Sequence, residues 1–80
     1  MLTNESEVIN NATITHDYEA EAMQSFEATG DDMMDELTER FESEFTNFDL
    51  ADDVGGLVLY RRAGVLVAFY DYEQFRGAVL

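Results

Sequence analysis

The sequence predicts a small α+β domain, and three observations carry that prediction. Two runs of strand-forming residues, Leu57-Val58-Leu59-Tyr60 and Val65-Leu66-Val67-Ala68-Phe69-Tyr70, flank Arg61-Arg62-Ala63-Gly64. Upstream, Met33, Met34, Leu37, Phe41, Phe45 and Phe48 recur at helical spacing among acidic residues. A chain of 80 residues has room for a single modest core, so these segments must share it.

The apolar runs read as a β-hairpin over about 56–70, with a loop of Arg62, Ala63 and Gly64 in a type I turn closed by a bulge. In that register Leu57, Leu59, Val67 and Phe69 share one face, and Val58, Tyr60, Leu66, Ala68 and Tyr70 share the other. Both faces are apolar, so both need cover. The helix predicted over about 31–48 covers one. Residues 12–28, or a second copy of the chain, cover the other.

The remaining segments follow in order. Residues 1–11 are polar around Val8-Ile9 and are expected to form a flexible arm before a single domain at 12–80. Residues 12–28 carry two periodicities, one alternating and one with Ile14, Tyr18, Ala22 and Phe26 at intervals of four. We assign a third strand near 12–16 and a helix from about 18 to 28, with Asp17 as its cap. Residues 47–56 read as a connection. Its Asp49, Asp52 and Asp53 fail the calcium-loop pattern, since Ala51 and Val54 stand where that loop needs a ligand and a glycine. At the end of the chain, Asp71 with Gln74 three residues on suggests a cap, and Tyr72, Phe75 and Val79 the inner side of a short C-terminal helix.

Composition speaks to solvent and partners. There are 18 acidic residues against 4 basic, a net charge of −14, and the basic residues are all arginine: Arg40, Arg61, Arg62 and Arg76. Such a surface repels itself in dilute buffer, whereas molar salt shortens the screening length to about 3 Å. Acidity without lysine matches the style of salt-accumulating, haloarchaeal-type proteins. Residues 1–53 hold all but Asp71 and Glu73 of the acids, and 54–80 hold three of the arginines, so the hairpin end is the part least repelled by a polyanion or by another copy.

The absence of cysteine excludes disulfides and thiolate zinc sites. His16 is the single imidazole, and no nucleophile elbow, phosphate loop or dinucleotide glycine pattern occurs. We therefore expect no catalysis, no metal and no cofactor. No apolar run approaches the roughly 18 residues of a membrane span, and the N-terminus lacks a secretory pattern, so no membrane partner and a cytoplasmic location are expected.

What remains is association. The expected function is that of a protein-interaction or regulatory module, homodimeric or bound to a protein partner. Leu57, Leu59, Val67, Phe69 and Tyr70 would provide burial, and Tyr60, Arg61 and Arg62 recognition. Direct nucleic-acid binding is disfavoured, because two arginines cannot offset the surrounding negative field. The alternative function is an acidic decoy whose carboxylates imitate phosphates and inhibit a nucleic-acid-binding protein.

Overall fold

Two tight turns with positive φ set the register of the sheet. Gly55 and Gly56 have φ of 57° and 92°, and Ala63 and Gly64 have φ of 52° and 79°. Each pair forms the two-residue, left-handed turn whose twist matches that of paired strands. The computed structural model of the chain describes residues 5–24 and 30–80. The helices are α1 (Glu5–Asn11), α2 (Glu19–Gln24) and α3 (Gly30–Glu44). The strands are β1 (His16–Asp17), β2 (Leu50–Val54), β3 (Leu57–Arg62), β4 (Val65–Asp71) and β5 (Arg76–Val79), paired antiparallel in the order β1-β5-β4-β3-β2. The chain is an α+β fold.

The predicted hairpin is β3–β4, but its turn and register differ from expectation. The loop is Ala63-Gly64 alone, since Arg62 pairs with Val65. The bulge lies inside the ladder, where Tyr60 pairs with Ala68 and Arg61 with Leu66, leaving Val67 as the extra residue. This exchanges the faces expected for Leu66 and Val67. Val67 packs with the core that contains Tyr60 and Tyr70, and Leu66 with the one that contains Leu59 and Phe69.

Both faces of the sheet are covered from within the chain. On one, Met33, Leu37 and Phe41 of α3, with Tyr18, bury Val58, Tyr60, Ala68 and Tyr70. The Phe41 ring is the hub, with centroids 5.1 Å from Tyr70 and 5.4 Å from Tyr60. On the other, Ile9 of α1 and Ala12 pack against Leu59, Phe69 and Ala78. The segment expected to be a loose arm is thus a helix over Glu5–Asn11 seated on the sheet; residues 1–4 of that arm lie outside the described residues.

Three further boundaries differ. The third strand is His16–Asp17 rather than 12–16, though the Thr15 N–H still donates to the Gly77 carbonyl at 3.0 Å. The helix expected to about 28 is observed over Glu19–Gln24, with the Glu19 N–H donating to Asp17 Oδ1 at 3.0 Å; residues 25–28 lie outside the described residues. Likewise α3 ends at Glu44, beyond which Phe45 and Phe48 turn back onto Tyr60, the Phe48 ring 4.7 Å away.

The expected C-terminal helix is a strand. Asp71 Oδ1 does accept from the N–H groups of Glu73 and Gln74, at 2.9 and 3.0 Å, but the turn stops there because Phe75 is left-handed, with φ of 60°. Residues Arg76–Val79 then pair with β4, which would otherwise present an unpaired edge. Gly77 makes this arrangement possible: a Cβ there would stand 2.7 Å from the Phe41 ring and 2.8 Å from the Phe69 carbonyl oxygen. Gly77→Ala is therefore expected to destabilise the chain by about 1–3 kcal/mol, the usual range for overpacking, measured as a lower denaturant midpoint.

Candidate functional site

The hairpin residues expected to bind a partner are largely enclosed. Tyr60 and Tyr70 have no exposed surface, Leu59 and Phe69 are buried, and Leu57 and Val67 are half-buried against the two cores. The hairpin faces are consequently core. The second cover, which the sequence left without an owner, comes from α1 and Ala12.

The arginines at the hairpin tip are likewise engaged. Arg61 grips Glu5 of α1 through both guanidinium nitrogens, the second at 2.8 Å, and its Nε lies 4.0 Å from Asp52. That contact holds the Glu5 carboxyl below its ordinary range. Arg62 donates to Asn47. The other two arginines act the same way: Arg40 pairs with Glu21 of α2, and Arg76 lies 3.5 Å from Glu19. With His16 Nε2 3.3 Å from Glu44, each element of the N-terminal segment has a side-chain contact with a carboxylate or arginine of the body.

His16 belongs to a structural relay. The Val79 N–H donates to Thr15 Oγ1 at 3.0 Å, and that hydroxyl lies 2.8 Å from His16 Nδ1. The imidazole stands edge-on to Phe41, 5.1 Å between centroids. Among the described residues, no group of three or more His, Asp or Glu is placed to hold a metal.

The buried tyrosines divide by what their hydroxyls meet. Tyr60 donates to Glu42 Oε2 at 2.8 Å, and burial, reinforced by that carboxylate, raises its pKa well above the ordinary value. Burial pushes Tyr18 up to about 12, with Glu44 adding to the effect from outside hydrogen-bonding geometry. Tyr70 is raised by burial, and its hydroxyl makes no hydrogen bond among the described residues.

Among the strands of the described residues, β2 is the one whose residues are all exposed. Leu50 is 49% exposed and Val54 55%, and the strand forms one end of the sheet. The two-residue turn makes Val54–Leu57 a hydrogen-bonded pair, so Leu50, Asp52 and Val54 direct their main-chain groups to β3. The N–H and C=O of Ala51 and Asp53 point out of the sheet. By register, Asp53 lies in the row Val58, Tyr70, Gly77, His16, on the α3 side, whereas Leu50, Asp52 and Val54 share the α1 side with Arg61, Leu59 and Leu57.

A cleft of about 470 Å³ adjoins this edge on the α3 side, lined by Met34, Asp35, Thr38, Asp53, Val58 and Tyr72. The Tyr72 hydroxyl donates to Asp53 Oδ1 at 2.9 Å, which sets that carboxylate at the wall. Sequence reasoning read β2 as a connection and missed it. The available signal was Gly55-Gly56 between Val54 and Leu57, the two-residue glycine punctuation of a hairpin, outweighed by the poor strand propensity of Asp52 and Asp53.

No family model, curated protein or solved structure matches the chain. No helix among the described residues is long and apolar enough to cross a membrane.

Two predictions follow from these contacts. Tyr60→Phe should destabilise by about 1–2 kcal/mol through loss of the bond to a carboxylate, while Tyr70→Phe, which removes an unpaired buried hydroxyl, should leave stability unchanged or raised; paired thermal melts decide. Because the Glu5 pKa is lowered in the folded chain, its contribution is present above the ordinary value of 4.5 and is lost as pH falls through the folded value. Amide protection in α1 should thus fade on acidification below that range, before protection in β3 and β4, and Glu5→Gln should show weak protection of α1 at neutral pH as well.

Proposed function

We propose that the chain is a protein-interaction module of a salt-adapted cytoplasm, and that it engages its partner by adding a strand to β2. The observation that carries this reading is the exposed β2 edge, with outward main-chain groups at Ala51 and Asp53, in a sheet whose two faces are packed by helices of the same chain. Strand addition satisfies such groups directly, and the side chains flanking the edge supply selectivity.

The acids on that edge select among occupants. A second copy pairing antiparallel about Asp52 would set Asp52 against Asp52 and Ala51 against Asp53. At molar KCl the net charge of −14 is screened beyond about 3 Å, but these like charges in direct contact still oppose the pairing. The reading therefore favours a different polypeptide over a homodimer. Salt adaptation rests on the same composition: carboxylates that repel in dilute buffer are screened at molar KCl.

Selection of binders from a random-peptide display library in molar KCl tests the proposal, with Ala51→Pro as the counter-screen. That substitution removes an outward N–H and leaves the β2–β3 bonds in place. Binders that lose affinity for Ala51→Pro support edge docking, and binders indifferent to it exclude that mode. On dilution of KCl to tens of millimolar, the chain should lose its circular-dichroism signal; a chain equally stable there would remove the salt-adapted part of the reading.

A further inference from the structure

Resting on the reading of β2 as a docking edge, we infer that the strand it accepts alternates basic and aliphatic residues, with the basic side chains entering the cleft between α3 and β2. A strand laid against β2 bonds to the N–H and C=O of Ala51 and Asp53, so its residues opposite those two project to the α3 side. The residue opposite Asp53 there meets the cleft wall formed by Asp35 and Asp53, with Met34, Thr38 and Tyr72 beside it, and the one opposite Ala51 lies one step along the same face. Both carboxylates are exposed, and neither faces an arginine among the ion pairs of the described residues.

A guanidinium or ammonium group fits this wall on two counts. Its charge opposes that of the carboxylates, and its alkyl stem can lie along Met34 and Val58. The residues of the added strand that project to the α1 side meet different chemistry. They pass Leu50 and Val54, half-exposed aliphatic side chains in line with Leu57, and continue an apolar stripe that the sheet leaves unfinished. The α3 face of the edge asks for cations. On the α1 face Asp52 already has Arg61 Nε 4.0 Å away, and Leu50 and Val54 on either side of it ask for hydrocarbon. Since side chains of a strand alternate between faces, the occupant is a basic–aliphatic alternation rather than a basic cluster.

Charge complementarity accounts for the choice of partner over copy. The chain's own apolar strands contain no such alternation, and its own edge carries Asp52 and Asp53. An acidic segment would be rejected by the same wall that holds a basic one.

The test uses the full chain in molar KCl, where the screening length is about 3 Å and attraction to the overall negative charge is removed, leaving only groups in contact. Three short peptides are titrated with amide shifts as the readout: alternating valine and arginine, the same composition with the arginines in one block, and alternating valine and glutamate. The alternating valine–arginine peptide is expected to bind, with shifts centred on Leu50–Val54, and to bind at least about tenfold tighter than the other two. Asp35→Asn and Asp53→Asn should each weaken it roughly three- to fivefold, in keeping with partly exposed ion pairs. Ala51→Pro should weaken it beyond tenfold.

Loss of binding in Ala51→Pro with no effect of Asp35→Asn or Asp53→Asn would keep the docking edge and overturn the basic-residue assignment. Equal binding to Ala51→Pro would overturn the docking edge itself. Equal affinity for the alternating and blocked peptides would overturn the alternation. Should Ala51→Pro fail to fold by circular dichroism, Asp53→Lys, an exchange on an exposed strand, takes its place: unchanged affinity for the valine–arginine peptide would overturn the inference.

Discussion

A β-ribbon with hydrocarbon on both sides cannot stand in water, and that constraint organises this molecule. The β3–β4 hairpin sends Tyr60 and Tyr70 to one face and Leu59 and Phe69 to the other, and all of them are buried. The chain meets the demand asymmetrically. A long helix, α3, sets Phe41 at the centre of an aromatic cluster on one side, whereas the short α1 covers the other mainly through Ile9, with Ala12 following. Isolated helices as short as α1 are marginal, so its order derives from the sheet beneath it and from Arg61.

The arginines show how a chain so rich in acid holds its parts together. Arg40, Arg61 and Arg76 each reach a glutamate of the N-terminal helices, and His16 reaches Glu44 from the short strand between them. With 4 basic residues in all, the cations are placed at junctions between segments. Such half-exposed pairs weaken as salt rises, while repulsion among the unpaired carboxylates weakens as well. Stability at high salt therefore leans on the aromatic core and on the sheet, whose hydrophobic contacts salt does not screen.

Once both faces are closed, the sheet can still offer its edge. The β1 end is two residues long and lies under Glu44 and Phe41, while the β2 end is five residues long and open. Asp52 and Asp53 lie on that strand, and Asp35 of α3 shares a cleft wall with Asp53, so the open edge is negatively charged.

Much of the fold was legible in the sequence, and the reasons are local. Apolar alternation marked β3 and β4, helical spacing from Met33 to Phe41 marked α3, and Asp17 and Asp71 each accept the backbone N–H groups their positions suggest. The candidate site was not legible, because an edge exists only when the order of strands is known. Asp52 and Asp53 lower strand propensity, and the Gly55-Gly56 punctuation, though it marks a turn between Val54 and Leu57, does not reveal that β2 ends the sheet with Ala51 and Asp53 facing outward. The tail was misread for a related reason. Asp71 and Gln74 form the start of a helix in isolation, but the open side of β4 draws Arg76–Val79 into the sheet. By itself the sequence determined the apolar two-faced ribbon, its main helix and the acidic surface, since these depend on periodicity and charge. Tertiary structure alone decided which segment covers the second face and which strand ends the sheet, because both depend on long-range pairing that no local pattern encodes.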